Sequence, residues 1–159
     1  MKYRVGNGFD FHPLRAGRKL ILGGVEIAHE SGLAGHSDAD VLAHALANAI
    51  LGALGLGDLG SHFPDSDPRH AGADSIGLLT QVWAMASDRG WRLENADLTV
   101  FAERPKLKPY IAAMRQRLAG VLAAAPEQVN VKASSPEGLG ALGRGEGMAA
   151  AAIVLLSTD

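Results

Sequence analysis

"GNGFDFHPL", residues 6–14, decides how the rest of the chain is read. Its apolar residues alternate with glycine and polar residues, so residues 3–12 read as a strand. Side chains two apart on a strand face the same side, which aims Asp10 and His12 at one point. A carboxylate and an imidazole converging in this way suit a divalent cation such as zinc. An isolated Asp-x-His is more often a polar pair at a surface turn, so the reading needs a third ligand from elsewhere.

Working outward, "KLILGGVEIA" (19–28) reads as a hairpin around Gly23-Gly24, a dipeptide suited to a tight primed turn. "SDADVLAHALANAILGALG" (37–55) reads as a helix capped by Ser37 or Asp38. Val41, Leu42, Ala45, Leu46, Ala49, Ile50, Ala53 and Leu54 form one apolar stripe on it. "DLGSHFPDSDPRHAGA" (58–73) reads as a loop and 74–88 as a second helix stopped by Gly90. A strand over "ENADLTVFAE" (94–103) and a helix from Pro109 to about Ala123 follow, with Ile111, Met114, Leu118 and Val121 on one face. The strand "QVNVKAS" (128–134), the glycine-rich loop "SPEGLGALGRGEG" (135–147) and the strand "MAAAAIVLLS" (148–157) complete the chain. Strands and helices do not alternate strictly. The expectation is therefore an α+β fold, a mainly antiparallel or mixed β-sheet with helices packed on one face.

Composition narrows the function classes. A length of 159 residues suits a single domain spanning 1–159 with a core of its own. With no cysteine, disulfides, thiolate metal sites and cysteine nucleophiles are all excluded. The net charge is −2 and lysine and arginine are scattered, which is not the footprint of a nucleic-acid binder. The N-terminus lacks the apolar core of a signal peptide. The apolar run 148–157 is about half the roughly 20 residues a membrane span needs. A cytoplasmic protein with ligand-holding loops is expected, without nucleic-acid or membrane partners.

His44 is the candidate third ligand. It lies at the edge of the apolar stripe, and alone it reads equally as a hydrogen-bonded histidine at the core's edge. Asp10, His12 and His44 together leave one tetrahedral position open, as catalytic rather than structural zinc does. Asp40, at i−4 from His44, shares a helix face with it and is placed to orient a ligand histidine. Asp58, Asp65 and Asp67 resemble a calcium loop only superficially, because "DSDP" breaks the required ladder. "GLGALG" (138–143) matches G-x-G-x-x-G, but "RGEG" and a strand-like run follow it where a dinucleotide site needs a helix and then a strand carrying an acid. Lys106, Lys108, Lys132, Ser134, Ser135 and Glu137 sit beside glycine-rich turns, a setting suited to phosphate and equally to ordinary surface charge.

In order along the chain, "GNGFDFH", "LGGVEI", "HSDADVLAHALANAILGALGLGDLGSHFPDSDP", "GADS", "RPKLKP", "VNVKAS" and "GRGEGMA" resemble the 2-C-methyl-D-erythritol 2,4-cyclodiphosphate synthase family over nearly the whole length. The resemblance implies a lyase of the non-mevalonate isoprenoid pathway. Such enzymes convert 4-diphosphocytidyl-2-C-methyl-D-erythritol 2-phosphate to the cyclic 2,4-diphosphate and release CMP. It implies a homotrimer with active sites between subunits. Asp10, His12 and His44 match the family's metal ligands, with zinc favoured, and Glu137 its ligand for a second cation, magnesium or manganese, bridging the diphosphate. His36 and Ser37 match the phosphate- and sugar-binding motif, and Asp58, Gly60 and Asp65 the residues that hold the erythritol. Ala102, Pro105, Lys106, Leu107 and Lys108 match the cytidine pocket, and Ala133, Ser134, Ser135 and Arg144 the nucleotide and diphosphate side. His36, Lys132 and Ser135 are the implied catalytic residues. Ser134-Ser135 stands where the family often has Thr-Thr, which preserves the hydroxyls. Two other classes share these features: a metal-dependent phosphohydrolase and a non-catalytic cytidine-nucleotide-binding trimer.

Overall fold

A computed structural model describes residues 1–159. Its centre is a five-stranded mixed sheet in the order β4-β1-β7-β5-β6. The strands are β1 (Lys2–Ala16), β4 (Ser31–Leu33), β5 (Arg92–Phe101), β6 (Val129–Ser134) and β7 (Gly147–Thr158). Only β5 and β6 run parallel; the other neighbours are antiparallel. β2 (Leu20–Leu22) and β3 (Val25–Ile27) form a separate hairpin, and both turn glycines have positive φ, 58° at Gly23 and 72° at Gly24, as a primed turn requires. The α+β expectation holds. β1 is longer than 3–12, and the short β4 lies in a stretch to which no strand was assigned.

The two faces of β1 differ completely. Gly6 and Gly8 point at the helix α1 (Val41–Leu54), while Val5, Phe9 and Phe11 point away and are exposed. A Cβ added at Gly6 would stand 1.9 Å from the carbonyl oxygen of Ala49. Glycine here lets a helix lie directly on a strand. α1 is buried on nearly every side, not along one stripe, because it lies between the sheet and α3 (Ser75–Ser87). Leu42, Leu46, Ile50 and Leu51 are fully enclosed, each contributing about 1.5–3 kcal/mol of burial.

The cap of α1 corrects the expectation. It is Asp40, not Ser37 or Asp38. Its Oδ1 accepts the amides of Leu42 at 3.2 Å and Ala43 at 3.0 Å. The same carboxylate accepts Gly23 N–H at 2.9 Å and Gly24 N–H at 2.7 Å, which fastens the hairpin turn to the helix N-terminus. Asp40 is therefore committed to backbone amides and does not orient His44. Burial pushes its carboxyl up to about 6, against the pull of the Ala43, Gly24 and Gly23 amides.

The segment read as a loop, 58–73, contains two helical turns: α2 (Leu59–His62), capped by Asp58, and the 3-10 turn Pro68–His70, capped by Asp67. α3 begins after Asp74 as expected. α4 (Ile111–Val121) follows a 3-10 turn over Lys108–Tyr110, so Pro109 sits inside that turn and does not open the α-helix itself. α5 (Gly140–Gly143) is a single turn inside the glycine-rich loop and leads into β7, confirming that "GLGALG" is no dinucleotide loop. No helix is long and apolar enough to cross a membrane.

Candidate metal centre and its clefts

The strand alternation that places Gly6 and Gly8 against α1 continues to Asp10 and His12. These two meet His44 on the first turn of α1. Asp10 Oδ2 lies 2.9 Å from His12 Nε2 and 3.1 Å from His44 Nδ1, and the two ring nitrogens are 3.2 Å apart. Tetrahedral zinc bonds of about 2.0–2.1 Å place neighbouring donors about 3.3 Å apart, so the triangle is close to that size. His12 Nδ1 lies 3.0 Å from the Ala34 carbonyl, which can only accept. A neutral His12 therefore donates from Nδ1 and turns the Nε2 lone pair toward a carboxylate oxygen. Two acceptors at that distance need a shared cation, a proton or a metal ion. The donor set fits a divalent metal.

The electrostatics follow the same geometry. Burial works against an ionised Asp10, but hydrogen bonds with His12 and His44, and their charge when protonated, outweigh it and hold the carboxyl below its usual range. Burial also works against a charged His12, and the hydrogen bond and attraction to Asp10, with help from the Ala34 carbonyl, raise it. Gly35 leaves room for the ring: a Cβ there would come within 3.0 Å of His12 Cε1. His44 Nε2, on the far side of its ring, is 2.8 Å from Ser75 Oγ and 3.3 Å from Ser37 Oγ.

The triad opens into a polar cleft of about 370 Å³. His36, Ser37, Gly60 and Asp65 line it. So do Asn48, Leu59, Phe63 and His70, which sequence reasoning missed. Asn48 could have been found, since it is one turn after His44 on the same helix. Its Oδ1 accepts Leu59 N–H at 2.8 Å and so fixes one wall. Asp58 is not among the lining residues; it caps α2 by accepting the amide and hydroxyl of Ser61.

A second cleft of about 390 Å³ gathers Ala102, Pro105, Lys106, Leu107, Lys108, Ala133, Ser134 and Ser135. It shares no lining residue with the first. At its edge Glu103 Oε2 accepts Gly138 N–H at 3.2 Å, and Ser135 Oγ accepts Glu137 N–H at 3.0 Å, ordering the turn that carries Glu137. Two expected residues lie elsewhere. Lys132 is paired with Asp97 at 2.6 Å on the exposed side of the sheet. Arg144 is paired with Glu146 at 2.6 Å and lines a third hollow with His29, Glu30 and Arg104. In Lys132 the alternation of β6 decides the matter: Val129 and Val131 take the core side, leaving Lys132 outside.

The comparisons with known proteins match this architecture. The model of the YgbB family matches residues 3–157. A 2-C-methyl-D-erythritol 2,4-cyclodiphosphate synthase from Geobacter sulfurreducens is 59% identical over 96% of this chain and 98% of its own. A solved 2C-methyl-D-erythritol-2,4-cyclodiphosphate synthase in its CDP-bound form superposes with a TM-score of 0.89 at 37% identity, covering 97% of this chain and 100% of that one. The bifunctional IspDF of Campylobacter jejuni superposes with a TM-score of 0.95 at 44% identity over 99% of this chain. This chain spans 43% of that larger protein. The chain belongs to the YgbB family. The relatives it matches at this level of identity are 2-C-methyl-D-erythritol 2,4-cyclodiphosphate synthases.

Proposed function

We propose that the chain is a single-domain cytoplasmic lyase of the non-mevalonate isoprenoid pathway. It converts 4-diphosphocytidyl-2-C-methyl-D-erythritol 2-phosphate to 2-C-methyl-D-erythritol 2,4-cyclodiphosphate and CMP. The observation that carries this reading is the Asp10–His12–His44 triangle at the head of a polar cleft, in a chain with full-length synthase relatives.

In the reaction an oxygen of the 2-phosphate attacks the β-phosphorus of the diphosphate. A new P–O bond closes the ring while the bond to the oxygen bridging to CMP breaks, and CMP leaves with that electron pair. The substrate supplies its own nucleophile, so the protein's work is positioning and charge compensation; intramolecular positioning is worth about 7–11 kcal/mol. A divalent cation on Asp10, His12 and His44 supplies Lewis acidity toward phosphate oxygens, and two imidazoles with one carboxylate favour zinc. His36 and Ser37 hold the phosphate end, while Gly60 and Asp65 line the space for the erythritol. Ser134 and Ser135 donate hydrogen bonds on the diphosphate side, and Lys106 and Lys108 face the nucleotide. Glu137 alone is no cation site; magnesium or manganese would be held by its carboxylate together with substrate oxygens.

The two clefts are separate on one chain, which supports a site completed by a neighbouring subunit. The outer face of β1 and β7 supports the same assembly as a homotrimer. Val5, Phe9 and Phe11 on β1 are each more than half exposed there, as is Ile153 on β7, whose register partner is Asn7 between Val5 and Phe9. Of the run Ala149–Ala152, Ala149, Ala150 and Ala152 are buried within the chain itself, so only Ala151 is partly open to a partner.

Phosphorus NMR on the cytidine-diphospho substrate, with and without a chelator, tests the function. The cyclic diphosphate with CMP, lost on chelation, is the expected result. Inorganic phosphate would make the chain a hydrolase, and binding without turnover in a metal-loaded, folded sample would make it a binding module.

A further inference from the structure

We propose that Ser75, held by Asp38, is a positioning residue that sets the tautomer of His44 and so prepares Nδ1 to bind a metal. The inference rests on the metal reading above and adds the device that makes His44 a ligand. Ser75 is the first residue of α3 and is 1% exposed. Asp38 lies in the turn before α1, 37 positions earlier. Its Oδ2 accepts Ser75 N–H at 3.2 Å, and its Oδ1 accepts Asp40 N–H at 3.1 Å and the Ser75 hydroxyl.

The ordering of protons follows from counting donors. A carboxylate only accepts, and a serine hydroxyl has one hydrogen. That hydrogen goes to Asp38, which leaves Ser75 Oγ with lone pairs toward His44 Nε2 at 2.8 Å. Asp10 Oδ2 at Nδ1 and Ser75 Oγ at Nε2 both accept the one hydrogen of a neutral His44, and Ser75 holds it on Nε2 when a cation joins Nδ1 to Asp10 and His12. Nδ1 then points a lone pair toward Asp10 Oδ2 and His12 Nε2. Were the Ser75 hydrogen free to turn toward His44, the opposite tautomer would place an N–H in the middle of the donor triangle. Ser37 Oγ stands farther from Nε2, at 3.3 Å, and has no carboxylate contact to hold its hydrogen. The carbonyl of Ala34 does for His12 what the Asp38–Ser75 pair does for His44. The "GADS" segment, which no part of the mechanism used, thereby gains a role.

The test has two readouts besides turnover. Imidazole nitrogen NMR of the metal-free wild-type protein, well above the imidazole titration range, reads the His44 tautomer directly. The Asp10 carboxylate at Nδ1 and Ser75 Oγ at Nε2 compete for that hydrogen, so a population with the hydrogen on Nε2 that Ser75→Ala loses is expected; identical nitrogen spectra for wild type and Ser75→Ala would overturn the proposal. Competition with a chromophoric zinc chelator then compares wild type, Ser75→Ala and Ser75→Thr, with metal-free melting run in parallel. Loss of such a partner typically weakens metal binding about 10–100-fold, and this is expected for Ser75→Ala, with recovery in Ser75→Thr. Zinc held by folded Ser75→Ala as tightly as by wild type would overturn it. A wild type that binds no zinc would count against the metal reading itself, and the tautomer would still decide this inference.

Discussion

The Cα of Gly8 faces the Ala45 carbonyl so closely that a Cβ on Gly8 would sit 2.1 Å from the oxygen. Ala45 adjoins His44, so the depth at which α1 lies on β1 also sets the distance from His44 to Asp10. Gly8→Ala has to lift backbone from backbone, at the upper end of overpacking costs, about 3 kcal/mol. For a chain of this size that is a melting temperature lower by about 6–12 °C. Zinc affinity should fall with it, although no ligand has changed. Calorimetry and chelator competition on the same sample check both, and an unshifted melt with intact zinc affinity would show that the helix can move freely.

Asp40 gives the pH prediction. Its folded carboxyl is pushed up to about 6 by burial, whereas an unfolded aspartate titrates near 3.9. The folded state thus binds the proton more tightly. The stability linked to that proton is full below about pH 4 and is lost as the pH rises through about 6. Asp40→Asn turns an NH2 toward at least one backbone amide and should cost about 1–3 kcal/mol at pH 7. The gap between wild type and Asp40→Asn should widen by about 1.3 kcal/mol as the pH falls from 7 to 5. Urea unfolding of both proteins across that range is the check; a gap that stays level or narrows would contradict it.

Phe9 and Phe11 extend from the sheet face that α1 does not cover, and both are more than half exposed. Phe9→Glu should leave the fold of the single chain intact and disrupt the proposed trimer through unpaired charge at its centre. Sedimentation should then show monomers, with turnover lost because the two clefts no longer meet. A Phe9→Glu trimer with full activity would mean that the subunits pack by another face.

Ser135 is exposed; its hydroxyl accepts Glu137 N–H at 3.0 Å and donates to Glu103 Oε2 at 3.4 Å. Ser135→Ala should change stability by no more than about 0.5 kcal/mol. If the hydroxyl donates to the transferring phosphoryl group, kcat should fall about 100-fold with the melt unchanged. An unchanged kcat would take Ser135 out of the mechanism.

The members of the metal triangle were legible in the sequence as candidates from two short-range periods, while their meeting rested on the family resemblance. Asp10 and His12 share a strand face, and His44 lies early on a strongly patterned helix. The Gly23-Gly24 turn was legible because its backbone needs positive φ. The cap of α1 was not, since Ser37, Asp38 and Asp40 are all good capping residues within four positions. A distant partner, the hairpin's own amides, decides among them. Spacing placed Asp40 and His44 on one face, but a capping residue stands outside the helical repeat and its side chain turns back to the first amides. Ser75 was invisible because its meaning depends on Asp38, far away in sequence. The pairing of Lys132 with Asp97 was not legible, because it joins neighbouring strands far apart in sequence.

The strict alternation of β1 has a consequence for how this protein can change. Gly6, Gly8, Asp10 and His12 occupy one side, and Val5, Phe9 and Phe11 the other. Inserting or deleting one residue within this strand would exchange the two sides beyond that point, turning phenylalanines toward the helix and metal ligands toward solvent. Point substitutions can vary either side, but length cannot vary at all, so families of such chains should differ in their loops and keep this strand's residue count fixed.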